Sequence, residues 1–154
     1  MAGGETLIEL RQALNEAEME LKGGLSPRVH PFASKQDMGA LLQRAGFALP
    51  VVDSEIITIT YENIFTLMAD LRGMGGGNVL TARHKKNPGR EFFHRAAEIY
   101  AEHFAEEPGG RIEASVEIIY LIGWAPHETQ QKPLKPGSAK TRLADALGAQ
   151  ETKL

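Results

Sequence analysis

The residues best suited to chemistry fall in three loop segments. The first, L-S-P-R-V-H-P-F-A, brings Arg28 and His30 between two prolines, and it can only be loop or extended chain. Two readings are open for this pair: ordinary exposed loop residues, or groups that face a substrate from a loop held on a rigid scaffold. The second, R-G-M-G-G-G-N, gathers Gly73, Gly75, Gly76 and Gly77. A phosphate-cradling turn follows a strand and opens a helix, whereas these glycines follow a helical pattern, so a helix stop with a flexible loop is the better reading. The third, T-A-R-H-K-K-N-P-G-R, gathers Arg83, His84, Lys85, Lys86 and Arg90 with no acid among them. Such a run is either a solvated face or an attractor for an anionic group or an acidic partner.

Other chemistries are excluded by composition. The chain has no cysteine, which removes disulfides, thiolate catalysis and cysteine-based metal sites. His94 and His103 lie too far apart to share a helical turn, and no H-x-x-x-H or carboxylate–histidine cluster occurs, so no metal is expected. A net charge of −3 argues against a generally basic nucleic-acid binder. No apolar run is long enough for a membrane span and no secretory signal is seen, so the default location is cytoplasmic.

The elements that must position these residues follow from periodicity. At 154 residues and 42% hydrophobic content, the chain can hold one domain with a real core. Leu7, Leu10, Leu14, Ala17 and Leu21 mark an amphipathic first helix with a glutamate-rich outer face, stopped at Gly23-Gly24. Ser34 and Asp37 form a capping box for a second helix, whose stripe is Met38, Leu41, Leu42 and Ala45. Gly46 stops that helix, and Phe47 is placed to fold back on Leu42 in a Schellman ending. A strand follows at about Glu55 to Tyr61, then a third helix through Ile64, Leu67, Met68 and Leu71. Asn87 and Pro88 read as N-cap and first residue of a fourth helix, which carries Phe92, Phe93, Ala96, Ala97, Ile99, Tyr100 and Phe104. The last strong element is a strand at about Ala114 to Trp124, apolar on both faces in its second half, which wants neighbours on each edge. Residues 126–154 read as a mobile tail with one short helix around Leu143, Ala146 and Leu147.

Two strands alone rarely make a stable sheet. The chain therefore either self-associates along the exposed edge of the second strand, giving a homodimer, or belongs to a larger α/β domain.

The order G-G-E-T-L-I-E-L-R, S-P-R-V-H-P-F, D-M-G-A-L-L-Q-R-A-G-F, M-A-D-L-R-G-M-G-G-G-N and I-I-Y-L-I-G-W resembles the C-terminal half of class I S-adenosylmethionine-dependent methyltransferases. The branch in question holds the malonyl-carrier-protein O-methyltransferases of biotin synthesis. It also holds the methyltransferase-like assembly factors of respiratory complex I, to which the resemblance is closer. It implies an α/β fold (α+β for this portion): the C-terminal part of a seven-stranded sheet, with two strands and about four helices. Residues 1–125 would be the C-terminal half of the domain, with a helical lid insertion at 61–110. Arg28, His30, Arg72, Asn78 and Arg83 would then lie near the substrate. The catalytic residues stay unknown, and no residue here would bind cofactor. S-adenosylmethionine would serve the full-length parent, this portion alone being inactive, and the partner would be a substrate protein or an acyl-carrier protein. The assembly-factor relatives add a rival chemistry, arginine hydroxylation, and a mitochondrial matrix location for a eukaryotic source. A third reading is a non-enzymatic adaptor that binds an acidic partner through the basic run. Methyl transfer from a sulfonium needs alignment and a dry site more than an acid or base, so the lack of a carboxylate pair does not oppose it.

Overall fold

The computed structural model describes residues 1–131, 135–138 and 140–148. Helices and strands run in the order α1 (Ile8–Lys22), α2 (Lys35–Arg44), β1 (Ala48–Tyr61), α3 (Ile64–Gly73), α4 (Arg90–Phe104), β2 (Ile112–Trp124) and α5 (Leu143–Leu147). The mixed α/β class is as expected, with five helices and one two-stranded antiparallel sheet among the described residues.

Both ends of α2 have a chemical reason. Ser34 accepts from the Asp37 amide at 3.1 Å while its own amide and hydroxyl reach the Asp37 carboxylate, the expected capping box. At the other end of α2, the Phe47 amide donates to the Leu42 carbonyl and the Gly46 amide to the Gln43 carbonyl. That pair is the Schellman pattern, and Gly46 adopts the left-handed φ of 81° it requires. Because α2 buries none of its residues, its cap carries an unusual share of its stability. Ser34→Ala is therefore expected to cost about 1 kcal/mol, read as a lower urea midpoint, and an unchanged midpoint would count against the cap.

Two expected boundaries differ. β1 begins at Ala48, seven residues before Glu55, because its register with β2 continues through Asp53↔Tyr120 and Val51↔Ile122. Helix α4 starts at Arg90 behind Gly89, and Asn87 instead uses its side-chain oxygen to accept from the Gly89 amide. The asparagine makes a local turn that holds Pro88 outside the helix.

The core lies between α1, α3, α4 and the first residues of β2. Leu10, Ala13, Leu14 and Ala17 of α1 meet Phe92, Ala96, Ile99 and Tyr100 of α4 over Ile112 and Ala114, with Ile64 and Leu67 closing the end. The Tyr100 hydroxyl donates to the Glu113 carbonyl at 2.7 Å, so this fully buried ring leaves no orphan polar group. Outside the core, Arg95 bridges α4 to Glu20 of α1 at 2.6 Å.

The outer edge of β2 is not bare. Met1 exchanges both backbone hydrogen bonds with Ile119, the Gly3 amide donates to the Glu117 carbonyl, and the Leu7 amide to the Ser115 carbonyl. The Thr6 hydroxyl takes the Glu117 amide at 3.1 Å and returns a bond to its carbonyl. Glu9, expected on a solvated face, is buried here, its carboxylate accepting from the Ser115 amide and hydroxyl. The opening residues thus pin α1 to the sheet. Beyond Ile119 this cover ends, and alternation places Tyr120, Ile122 and Trp124 on one face with Val51 and Ile57 of β1. Tyr120, Ile122 and Trp124 remain 49%, 54% and 48% exposed, so this half of the sheet is covered on one face only.

In the 126–154 segment, the weak helical trio becomes α5. The rest of the expected mobile tail falls partly outside the described residues.

Candidate functional site

A cleft of about 530 Å³ opens between α1, the Arg28–Phe32 loop, the end of α3 and the glycine loop. Leu7, Leu10 and Leu14 form one wall, Met68 and Leu71 another, and Phe93 completes the floor. Four of the five residues singled out from the sequence line it: Arg28, His30, Arg72 and Asn78. They come from segments far apart in the chain, so the fold, not local sequence, assembles them. Arg83 does not line the cleft. Its guanidinium donates to the Leu80 carbonyl at 3.1 Å on the exposed basic run.

Arg28 turns out to hold the wall. Its Nη2 lies 2.5 Å from Glu18 Oε1 and its Nε 3.1 Å from Oε2, the fork geometry of a guanidinium on a carboxylate. The guanidinium also sits 4.3 Å from the centre of the Phe92 ring. Glu18 is only 3% exposed and accepts in addition from the Ser26 amide and hydroxyl. Burial pushes the Glu18 carboxyl up, but the Arg28 hydrogen bond, the two Ser26 bonds and the Arg28 charge outweigh it and hold the group below the ordinary 4.5. Periodicity put Glu18 on a solvated helix face. What buries it is a loop eight to ten residues further on, which no helical pattern encodes.

The glycine loop closes the end of α3. Met74, Gly75 and Gly76 amides donate to the Asp70, Arg72 and Leu71 carbonyls, so the last turn leaves these oxygens satisfied. A side chain at Gly76 would approach the Leu71 oxygen to 2.9 Å, which explains the glycine there. The loop is a helix stop, as its position after a helix implies. Asn78 then ties it across the cleft, its amide donating to the Pro27 carbonyl at 2.8 Å. At His30, Nδ1 carries a proton to the Pro31 carbonyl at 2.9 Å, which leaves Nε2 as the free ring nitrogen.

Comparison with curated proteins bears on what such a cleft serves. The chain is 45% identical over 146 residues, 95% of its length, to "Arginine-hydroxylase NDUFAF5, mitochondrial" of Dictyostelium discoideum. It is 44% identical over 145 residues to the human protein of the same name. It is also 36% identical over 124 residues, 80% of the chain, to the malonyl-[acyl-carrier protein] O-methyltransferase of Nitrosospira multiformis. The chain is homologous to part of both proteins. It spans 33%, 41% and 38% of these three relatives, less than half of each. No family model matches it.

The resemblance read from the R-A-G-F helix and its companions is therefore shown by these relatives, and the mixed α/β architecture agrees with a portion of a methyltransferase fold. The cleft itself does not suit S-adenosylmethionine. No aspartate or glutamate lines it to hold ribose hydroxyls, and its glycines end a helix rather than open one after a strand. Among the described residues, no three His, Asp or Glu side chains are grouped as metal ligands. No helix among them is long and apolar enough to cross a membrane.

Proposed function

We propose that the chain forms the substrate-side part of an S-adenosylmethionine-dependent methyltransferase-like protein, the cofactor being held by residues outside these 154. The observation that carries this reading is the alignment of four-fifths or more of the chain with less than half of each relative. In this reading residues 1–125 complete the domain, 61–110 lie over the substrate as a lid, and the cleft is the substrate's wall. The acceptor is a substrate protein or a chain on an acyl-carrier protein, the second being what the name of the Nitrosospira relative specifies. The location in this reading is the cytoplasm in a bacterial source and the mitochondrial matrix in a eukaryotic one, the names of the Dictyostelium and human relatives giving "mitochondrial".

One observation favours a second chemistry. Identity is higher to the arginine hydroxylases than to the methyltransferases, 45% against 36%. The same architecture would then insert one oxygen atom of dioxygen into an arginine C–H bond, the other leaving as water with two electrons from an external reductant. Both readings are tested on the protein translated with any upstream in-frame sequence. S-adenosylmethionine should raise its melting temperature, and mass spectrometry of the modified substrate should show a methyl group for the first chemistry or an oxygen atom for the second. Absence of both modification and heat stabilisation rejects the enzyme readings. The adaptor reading would survive that result, and it requires binding of an acidic protein to fall with salt and with loss of Arg83, Lys85 and Lys86. Self-pairing along Tyr120–Trp124 belongs to the same proposal for the chain alone. A monomer by sedimentation would reject it.

A further inference from the structure

The cleft lining is electrostatically one-sided. It contains leucines, Val29, Phe32, Met68, Val79 and Phe93, and no carboxylate, so no formal negative charge lines it. Its polar groups differ in availability. The Arg28 charge is matched by buried Glu18. Asn78 is engaged at both ends, donating to Pro27 and accepting from the Leu80 amide. His30 Nδ1 serves Pro31, and the remaining Nε2 of a neutral ring is an acceptor.

Arg72 is different. It stands in the last turn of α3, exposed, and its side chain has no hydrogen bond or ion pair among the described residues. Its own backbone oxygen and those of Asp70 and Leu71 are taken by the glycine-loop amides, so they do not compete for its charge. A permanent cation therefore stands unmatched at one end of an apolar trough. A guanidinium pairs with a carboxylate through two parallel hydrogen bonds, and the apolar trough beside it favours an apolar body on the same molecule.

We infer that the cleft binds a molecule with an unbranched apolar body and a single terminal carboxylate, the carboxylate seated on the Arg72 guanidinium. The inference rests on the reading of this cleft as a substrate wall and narrows it to a ligand class. The size agrees, since a volume of about 530 Å³ lies in the range of small-molecule sites. Each methylene drawn into the trough should raise affinity about fourfold until the trough is full.

The test uses the 154-residue chain with decanoate, decanol and decylamine as probes at neutral pH. Decanoate should bind at least tenfold more tightly than decanol, and decylamine more weakly than either. Arg72→Gln, at an exposed position, should leave the fold intact by circular dichroism and remove the preference of decanoate over decanol. Location is read separately: the Met68 methyl resonance should shift on titration. Trp124, the single tryptophan, stands on the open sheet face and should keep its fluorescence unchanged. Equal affinity for decanoate and decanol with a shifting Met68 overturns the Arg72 anchor and leaves the cleft as a ligand site. An unmoved Met68, or a response at Trp124 instead, overturns the cleft itself and with it the substrate-wall reading.

Discussion

Phe92→Ala lowers the stability of the chain by about 4 kcal/mol in urea unfolding, with little change in the dependence on denaturant. That is the expected result, and three features of the ring set its size. Phe92 is 1% exposed in the centre of the α1–α4 packing, so truncation leaves a cavity that rigid neighbours cannot fill. It meets Phe93 edge-on at 5.2 Å, an arrangement that orients a cleft-lining side chain. It also carries two cations on its surroundings, Arg28 at 4.3 Å and Lys22 at 5.5 Å. Phe92→Leu separates these contributions: it retains most of the volume and loses the π face, so about 1 kcal/mol is expected. A cost under 1 kcal/mol for the alanine variant would show that this ring does not organise the core.

The second large effect is expected at Arg28. Replacing it with methionine leaves the Glu18 carboxylate buried with only Ser26 as partner, and removing one member of a buried pair costs about 3 kcal/mol or more. The pH dependence carries the sign. The folded-state pKa of Glu18 lies below its ordinary 4.5 because Arg28 and Ser26 together outweigh burial. A depressed carboxyl contributes stability that is present above the unfolded value and is lost as pH falls through the folded one. Acidification from neutral to about pH 3 should therefore narrow the gap between the parent chain and Arg28→Met. The double variant Glu18→Met with Arg28→Met should recover much of the loss at neutral pH, since no lone charge then remains inside. A single variant as stable as the parent, or a double variant no better than the single, would reject the clamp.

These two predictions mark where local signals stop. The capping box at Ser34, the Schellman ending at Gly46 and the stripes of α1 and α3 are short-range patterns, and each appears where the residues place it except at Leu21, which the α1 stripe includes and the fold leaves exposed. The errors are of two kinds. Asn87 was a plausible cap, but its side chain closes a turn two residues on and delays α4 to Arg90. Glu9 and Glu18 look like solvent-facing residues because helical periodicity records one neighbouring face, and both are buried by segments that arrive from elsewhere. The same holds for the site. Arg28 and His30 could be picked out as polar residues in a loop, Arg72 and Asn78 came from the family resemblance, and the structure brings these four to one cleft. Leu10, Leu14, Met68 and Phe93 line it equally, yet as apolar positions on helical stripes they carry no mark that separates a cleft wall from a core.

The pinning of the first residues to β2 has a consequence for the order of events during synthesis. Met1 meets Ile119, Thr6 meets Glu117 and Glu9 meets Ser115, contacts separated by 118, 111 and 106 positions. A ribosome must therefore extend almost the whole described chain before α1 acquires its anchor. Until then, the Leu10 and Leu14 stripe can meet α4 but not the sheet. Closing so long a loop late makes folding slow for a helical protein and leaves the stripe open to other hydrophobic surfaces meanwhile. Joining the two termini and reopening the chain within the Gly75–Gly77 loop would shorten those separations, and such a permuted chain should fold faster than the parent at similar stability.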